Sequence, residues 1–242
     1  MKALFALLLA LCTLVTAAAA TREPPQVLVF TKTTGFRHDS IPVAVKTVRE
    51  LARQAGWQVE HGEDAGVFTR ERLARYRVVV FANTTGDVLD DAQQAALREY
   101  VEHGGGFVGI HSAADTEYEW PWYESLVGAW FLSHPPGLQT TRLTFADDGI
   151  APDGRTWQVT DELYNYRSNP RERARVVATV DESGYSGGTM GADHPIAWCH
   201  AAGKGHSWYT GLGHRNEIYA DETFRRHLLR GLRYAAGDSD DC

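Results

Sequence analysis

The run Gly104-Gly105-Gly106-Phe107-Val108-Gly109-Ile110-His111-Ser112-Ala113 sets an apolar strand between a glycine-marked helix end and an abrupt polar turn. His103-Gly104 reads as a helix stop. Phe107 to Ile110 have the continuous apolar character of a strand buried on both faces. That strand passes straight into His111-Ser112, the place where a nucleophile elbow sits in α/β folds, yet an imidazole occupies the tip instead of a hydroxyl or thiol. The three glycines precede the strand and no Lys-Ser/Thr follows them, so they do not form a phosphate loop.

Outward from this strand the same pattern repeats. Toward the N-terminus, Arg77–Ala82 is a strand, and Leu89, Ala92, Ala96, Leu97, Tyr100 and Val101 form one helical face begun at Asp90 or Asp91. Gln26–Phe30 is a further buried strand. After it, Ile41, Val45, Val48, Leu51, Ala52 and Ala55 recur at helical spacing, with Ser40 as the expected N-cap and Pro42 in the first turn. Gly56 ends that helix, Trp57–Glu60 alternates as a second strand, and a short helix is expected around Thr69–Ala74. Strands and helices that alternate in this order predict a parallel sheet with right-handed crossovers and helices on both faces.

Beyond Ala113 the pattern changes. Asp115 to Pro136 is rich in aromatics and prolines and reads as a segment that covers a site. Strand-like runs at Thr140–Phe145, Arg175–Val180, Pro195–His200 and His206–Thr210 extend the sheet, partly antiparallel. A last helix buries Phe224, Leu228, Leu229, Leu232 and Ala235 and stops at Gly237.

Residues 1–20 have a charged head at Lys2, an apolar middle and a small-residue exit at Ala17–Ala20, the build of a secretory signal peptide. The expected layout is that leader, a single domain over 21–237 and an acidic tail over 238–242. The leader takes away Lys2 and no acid, so 23 Lys+Arg, one fewer than the full chain's 24, face 31 Asp+Glu, and the net charge moves from −7 to −8. That balance argues against nucleic acid and anionic membrane as partners. A secreted or periplasmic location follows from the leader. Cys199 and Cys242 remain in a compartment that permits a disulfide, but Cys242 ends the acidic tail and is expected to be mobile.

In open α/β sheets ligands bind beyond the carboxyl ends of the strands. Three polar exits are expected there: Thr33–His38, Asn83–Asp87 and His111–Asp115. Of ten histidines, His38, His111, His134, His194 and His214 sit in polar loops. None forms the four-residue pair of a helical zinc motif. A metal held by His111 with His134, His214 or Asp115 stands open beside individually satisfied histidines. Asp161-Glu162 offers two carboxylates for acid–base work or for capping a short helix. Trp120, Trp122, Tyr123, Tyr164 and Tyr166 suit either a sugar-stacking surface or the core.

Gly35-Phe36-Arg37-His38, Asn83-Thr84-Thr85-Gly86-Asp87, Gly105 to Ala113, Trp120-Pro121-Trp122-Tyr123, Asp161-Glu162-Leu163-Tyr164, Asp193 to Trp198 and Gly211-Leu212-Gly213-His214 together resemble the trehalose-utilisation (ThuA-like) family, over about residues 26–237. The resemblance implies a class I glutamine amidotransferase-like fold, a flavodoxin-like three-layer sandwich with a mostly parallel central sheet. It also implies a role in metabolism of trehalose or related disaccharides, 3-keto sugars among them. An amidotransferase needs Cys at the elbow. With His111 there and Cys199 in a late strand, glutaminase activity is expected to be absent.

The leading expectation is a sugar-processing hydrolase, lyase or isomerase. His111 is its central acid–base or ligand residue, His38 and Asp115 are neighbours, and Asp161, Glu162, His194 and His214 come from later loops. Asn83, Thr85, Asp87, Trp120, Trp122, Tyr123, His134 and Tyr164 are the expected substrate contacts. No cofactor is expected, with a divalent metal such as zinc as the open alternative. A non-catalytic carbohydrate-binding domain, a metal-dependent hydrolase and a partner of a sugar dehydrogenase are the rival classes.

Overall fold

The first half alternates strand and helix: β1 (Gln26–Phe30), α1 (Ile41–Gln54), β2 (Gln58–Gly62), α2 (Arg70–Leu73), β3 (Tyr76–Ala82), α3 (Asp91–Glu102) and β4 (Gly106–Ile110). The second half carries α4 (Pro121–Val127), then β5 (Phe131–Ser133), β6 (Gln139–Phe145), β7 (Thr156–Asp161), β8 (Asn165–Tyr166), β9 (Arg175–Val180), β10 (Pro195–Ala202) and β11 (Gly205–Thr210), and closes with α5 (Glu222–Ala235). This computed structural model describes residues 26–242, so the signal-peptide reading of residues 1–20 lies outside them. Among the described residues no helix is long and apolar enough to cross a membrane.

Nine strands form one sheet in the order β2-β1-β3-β4-β11-β10-β9-β6-β7. From β2 to β11 neighbours run parallel, and from β11 to β7 they run antiparallel. The mostly parallel sheet with an antiparallel extension is therefore as the residue pattern predicts. β1, β3 and β4 lie in its interior, which is why their residues are apolar on both faces: Val27–Phe30 and Val78–Ala82 are at most 1% exposed. Phe30, Phe81 and Phe107 pack ring on ring across these strands, each contributing about 1.5–3 kcal/mol by burial.

The glycine triplet does two jobs. Gly104 takes φ 115°, the left-handed conformation that ends α3. Gly106 has ordinary φ, but a Cβ there would collide with the Ala235 carbonyl, so the end of α5 can lie directly on the start of β4. α3 begins with the expected Asp90 cap, completed as a capping box by Gln93. At α1 the expectation fails in part, because Ser40 occupies the N-cap position without a capping hydrogen bond. Its hydroxyl is committed elsewhere, as described below.

Cys199 on β10 and Cys242 form a disulfide with Cα atoms 6.3 Å apart. The expected mobility of the tail is thereby corrected: Cys242 is 1% exposed, and Asp238 and Asp241 pair with Arg77 and Arg175.

Candidate functional site

Pairing places Ile110 beside Ala82 on one side and Thr210 on the other, so the exits of β3, β4 and β11 open together. The next residues are Asn83, His111 and Gly211. His111 takes φ 50° and Asn83 φ 56°, a left-handed backbone that costs a non-glycine residue on the order of 1–3 kcal/mol. Such strain at a strand exit is the geometry of an elbow. It is held from several sides. His111 Nδ1 donates to the Gly211 carbonyl at 2.8 Å, and the His111 carbonyl accepts from Tyr209 Oη at 2.8 Å. Asn83 Nδ2 donates to Ser40 Oγ at 3.1 Å, and Ser40 Oγ donates to the Gly213 carbonyl at 2.9 Å. Ser40 thus ties α1 to the β11 exit.

The other half of the site comes from the end of β7. Asp161, fully buried, accepts from the amides of Gly213 at 2.7 Å and Arg215 at 3.0 Å. That grip fixes the loop that carries His214. Burial pushes the Asp161 carboxyl up, against the pull of His111 and of these amides. Glu162 follows directly. Its Oε2 lies 3.4 Å from His111 Nε2 and 3.3 Å from His214 Nδ1, and its Oε1 lies 3.3 Å from His134 Nδ1. His38, from the β1 exit, sets its ring edge-on to His111 at 4.8 Å and to His214 at 5.2 Å, with Nδ1 3.3 Å from Ser112 Oγ. One donor atom from each of His38, His111, Glu162 and His214 lies within 4.8 Å of the other three.

These groups are buried, except that the His214 side chain is 29% exposed and forms the open side. Burial, then the nearby imidazoles, lower the His38 pKa to about 3 and keep the ring neutral. For Glu162 burial pushes upward, but His111 and His214 outweigh it and hold the carboxylate below its ordinary range. Glu162 in turn raises His214. Although His111 Nε2 and His214 Nδ1 lie within ion-pair distance of Glu162, neither is aligned for a hydrogen bond, and both are buried without one. The contacts are electrostatic.

Four of the expected catalytic residues therefore meet: His38, His111, Glu162 and His214. Asp161 supports them through the loop it holds. Asp115 stands beside them with its Oδ1 accepting from Tyr118 Oη at 2.6 Å, and burial pushes its carboxyl up. His194 lies outside the cluster, with Nε2 donating to the Tyr164 carbonyl at 2.8 Å and Nδ1 2.8 Å from Glu182. Burial lowers its pKa against both neighbours. The Asp161-Glu162 pair caps no helix: it ends a strand.

The expected substrate contacts divide. β5 and β8 pair as a two-stranded ribbon that brings His134 and Tyr164 to the cluster. The Tyr164 ring lies 4.3 Å from both His111 and Phe131, and is buried. Asn83 and Thr85 are buried scaffold, the latter donating to the Phe36 carbonyl at 2.8 Å, while Asp87 is exposed. Tyr123 is fully buried against Phe81 and Phe107, with Oη donating to the Ala113 carbonyl. Trp120 stacks on Trp122, and Arg98 of α3 lies over Trp122. The aromatic surface beside the cluster is instead Phe36, 66% exposed and edge-on to His38 at 4.8 Å. In the sequence Phe36 stands out only by its place in the strand-exit loop Thr33–His38. Ser112, Ser40 and the Gly211 carbonyl carried no signal beyond their place next to such exits. A cavity of about 400 Å³ opens at the opposite, amino-terminal ends of β3 and β4, where its charges are paired, Arg70 with Glu99 and Arg77 with Asp238.

The family model for trehalose utilisation (ThuA) matches residues 26–235. Among solved structures, a protein named as ThuA-like from Bacteroides uniformis superposes with a TM-score of 0.72 at 21% identity, covering 90% of this chain and 94% of that one. Another so named, from Parabacteroides merdae, gives 0.70 at 20%, with 90% and 91% covered. A beta-galactosidase from Bacillus circulans sp. alkalophilus gives 0.57 at 14%, with 88% of this chain but 31% of that one covered, a likeness of fold to one region of a larger protein. No curated protein matches the sequence.

Proposed function

The chain belongs to the trehalose-utilisation (ThuA) family, and on that premise we propose that it is a secreted or periplasmic enzyme acting on trehalose or a related disaccharide, with 3-keto sugars as the favoured form. The observation that carries this is the buried cluster of His38, His111, His214 and Glu162 at the carboxyl ends of the central strands, where ligands bind in this architecture. A ketone at C3 of a sugar acidifies the C2 hydrogen. A base that takes this proton lets the C1 substituent leave once its oxygen is protonated. Glu162 and the imidazoles around it are the groups placed to move these protons, with His214 at the open side. A dehydrogenase that oxidises disaccharides is the expected partner upstream. Phe36 offers an apolar platform for a sugar ring beside His38.

Glutamine hydrolysis does not suit this site, because position 111 carries an imidazole and Cys199 is taken up by its disulfide. The same disulfide supports an oxidising compartment. The test is to incubate the purified chain with trehalose and with its 3-keto form and follow monosaccharide release by chromatography. The expected result is turnover of the keto sugar, lost by at least about 1,000-fold in His111→Ala with an unchanged melting curve. Saturable sugar binding without product over long incubation would identify a binding domain and overturn the proposal.

A further inference from the structure

His111 meets Glu162 acceptor to acceptor. The Gly211 carbonyl can only accept, so the Nδ1 lying 2.8 Å from it carries the proton of the neutral ring. Nε2 is then a bare lone pair, buried and without a hydrogen-bond partner, 3.4 Å from Glu162 Oε2. His214 turns its Nδ1 toward the same oxygen at 3.3 Å, again with no hydrogen bond formed. Lone pairs that converge on a carboxylate away from water repel one another unless a cation lies among them. A proton on one ring would serve that ring alone, and protons on several would set imidazolium against imidazolium. One metal ion serves all four groups.

We infer that His38, His111, His214 and Glu162 bind a single divalent transition-metal ion of the zinc type. Bonds of about 2.0–2.1 Å to a tetrahedral ion imply edges of about 3.3–3.4 Å between its donor atoms. The edges from Glu162 to His111 and to His214 have that length, and every other edge is within 4.8 Å. The outer contacts are those a metal-binding histidine needs: the Gly211 carbonyl fixes the tautomer of His111, and Ser112 Oγ occupies Nδ1 of His38 and leaves Nε2 for the ion. Three imidazoles with one carboxylate favour zinc and its first-row neighbours over magnesium or calcium, which take oxygen ligands.

The inference rests on reading this cluster as the working site, and the experiment separates the two. The chain is purified without chelator and its metals are measured by elemental analysis, with about one equivalent of a first-row divalent ion expected. Metal-free protein is then titrated calorimetrically with zinc chloride, and with cobalt, whose visible bands report tetrahedral coordination. His111→Gln and Glu162→Gln should each weaken binding by about 100-fold or more, whereas His103→Gln, at the exposed end of α3, should not change it. Should either variant fail to fold, a zinc-dependent rise in the melting temperature of the unaltered chain, absent with magnesium, serves as the second measurement. Metal-free protein that takes up no zinc, or zinc binding that survives both substitutions, overturns the inference. Metal binding without sugar turnover upholds it and overturns the carbohydrate reading, while sugar turnover by protein that takes up no zinc does the reverse.

Discussion

His227 shows what burial does to an imidazole with no acid to balance it. It lies on α5, 1% exposed, against the rings of Trp208 and Phe145, with Nε2 3.2 Å from Thr210 Oγ1 and Nδ1 unpartnered. Burial, then Arg230, lower its pKa to about 3. The unfolded chain, with an ordinary histidine near 6.5, binds the proton more readily, so this residue's stabilising effect is complete above about pH 6.5 and is lost as the pH falls toward 3. Between pH 7 and pH 5 it accounts for a loss on the order of 2 kcal/mol. Urea unfolding at the two pH values should show that loss in the unaltered chain and a correspondingly smaller one in His227→Phe. Equal losses in both would remove His227 from the account. His214, partly open to solvent, is raised by Glu162, whereas fully buried His194 stays lowered with Glu182 at 2.8 Å, so burial outweighs a neighbouring carboxylate where water is excluded.

At the scale of elements, the site depends on contacts between segments far apart in sequence. β1, β3 and β4 were legible because strands buried on both faces must be apolar throughout, and His38 and His111 could be singled out from the strand exits alone. β7 was missed: Thr156-Trp157-Gln158-Val159-Thr160-Asp161 is an edge strand, exposed on one face, and its alternation of Thr and Gln resembles a loop. Without β7 nothing tells a reader that Asp161 and Glu162 perform different tasks. One side chain reaches the amides of the β11 exit, and the next reaches the imidazoles. Asp161→Asn tests that division. The amide keeps one acceptor oxygen but turns an NH2 group toward a backbone N–H, so the fold should lose about 1–3 kcal/mol in denaturant unfolding. Activity should fall as well, because the His214 loop is released. A change under about 0.5 kcal/mol would mean that the loop is held by other contacts.

At the scale of the whole molecule, the end of the chain turns out to be part of the fold. An acidic run closed by cysteine reads as a loose tail, and nothing local contradicts that, because the partner that orders it is a strand in the middle of the sheet. Cys242 reaches Cys199 on β10, and the covalent link spans a sequence separation of 43. A cross-link of that span removes roughly 4 kcal/mol of chain entropy from the unfolded state, as an upper estimate. For a domain of this size that corresponds to a melting temperature lower by about 10 °C in Cys242→Ser. Reduction of the unaltered chain should reproduce the drop, and reduction of the variant should add nothing to it. The two ion pairs at Arg77 and Arg175 are surface contacts worth under about 1 kcal/mol each, so they cannot hold the tail in the absence of the link. Limited proteolysis should therefore trim the reduced or substituted chain at its C-terminus while leaving the oxidised chain intact. An oxidised chain trimmed at the same rate would show that the bridge does not order the tail.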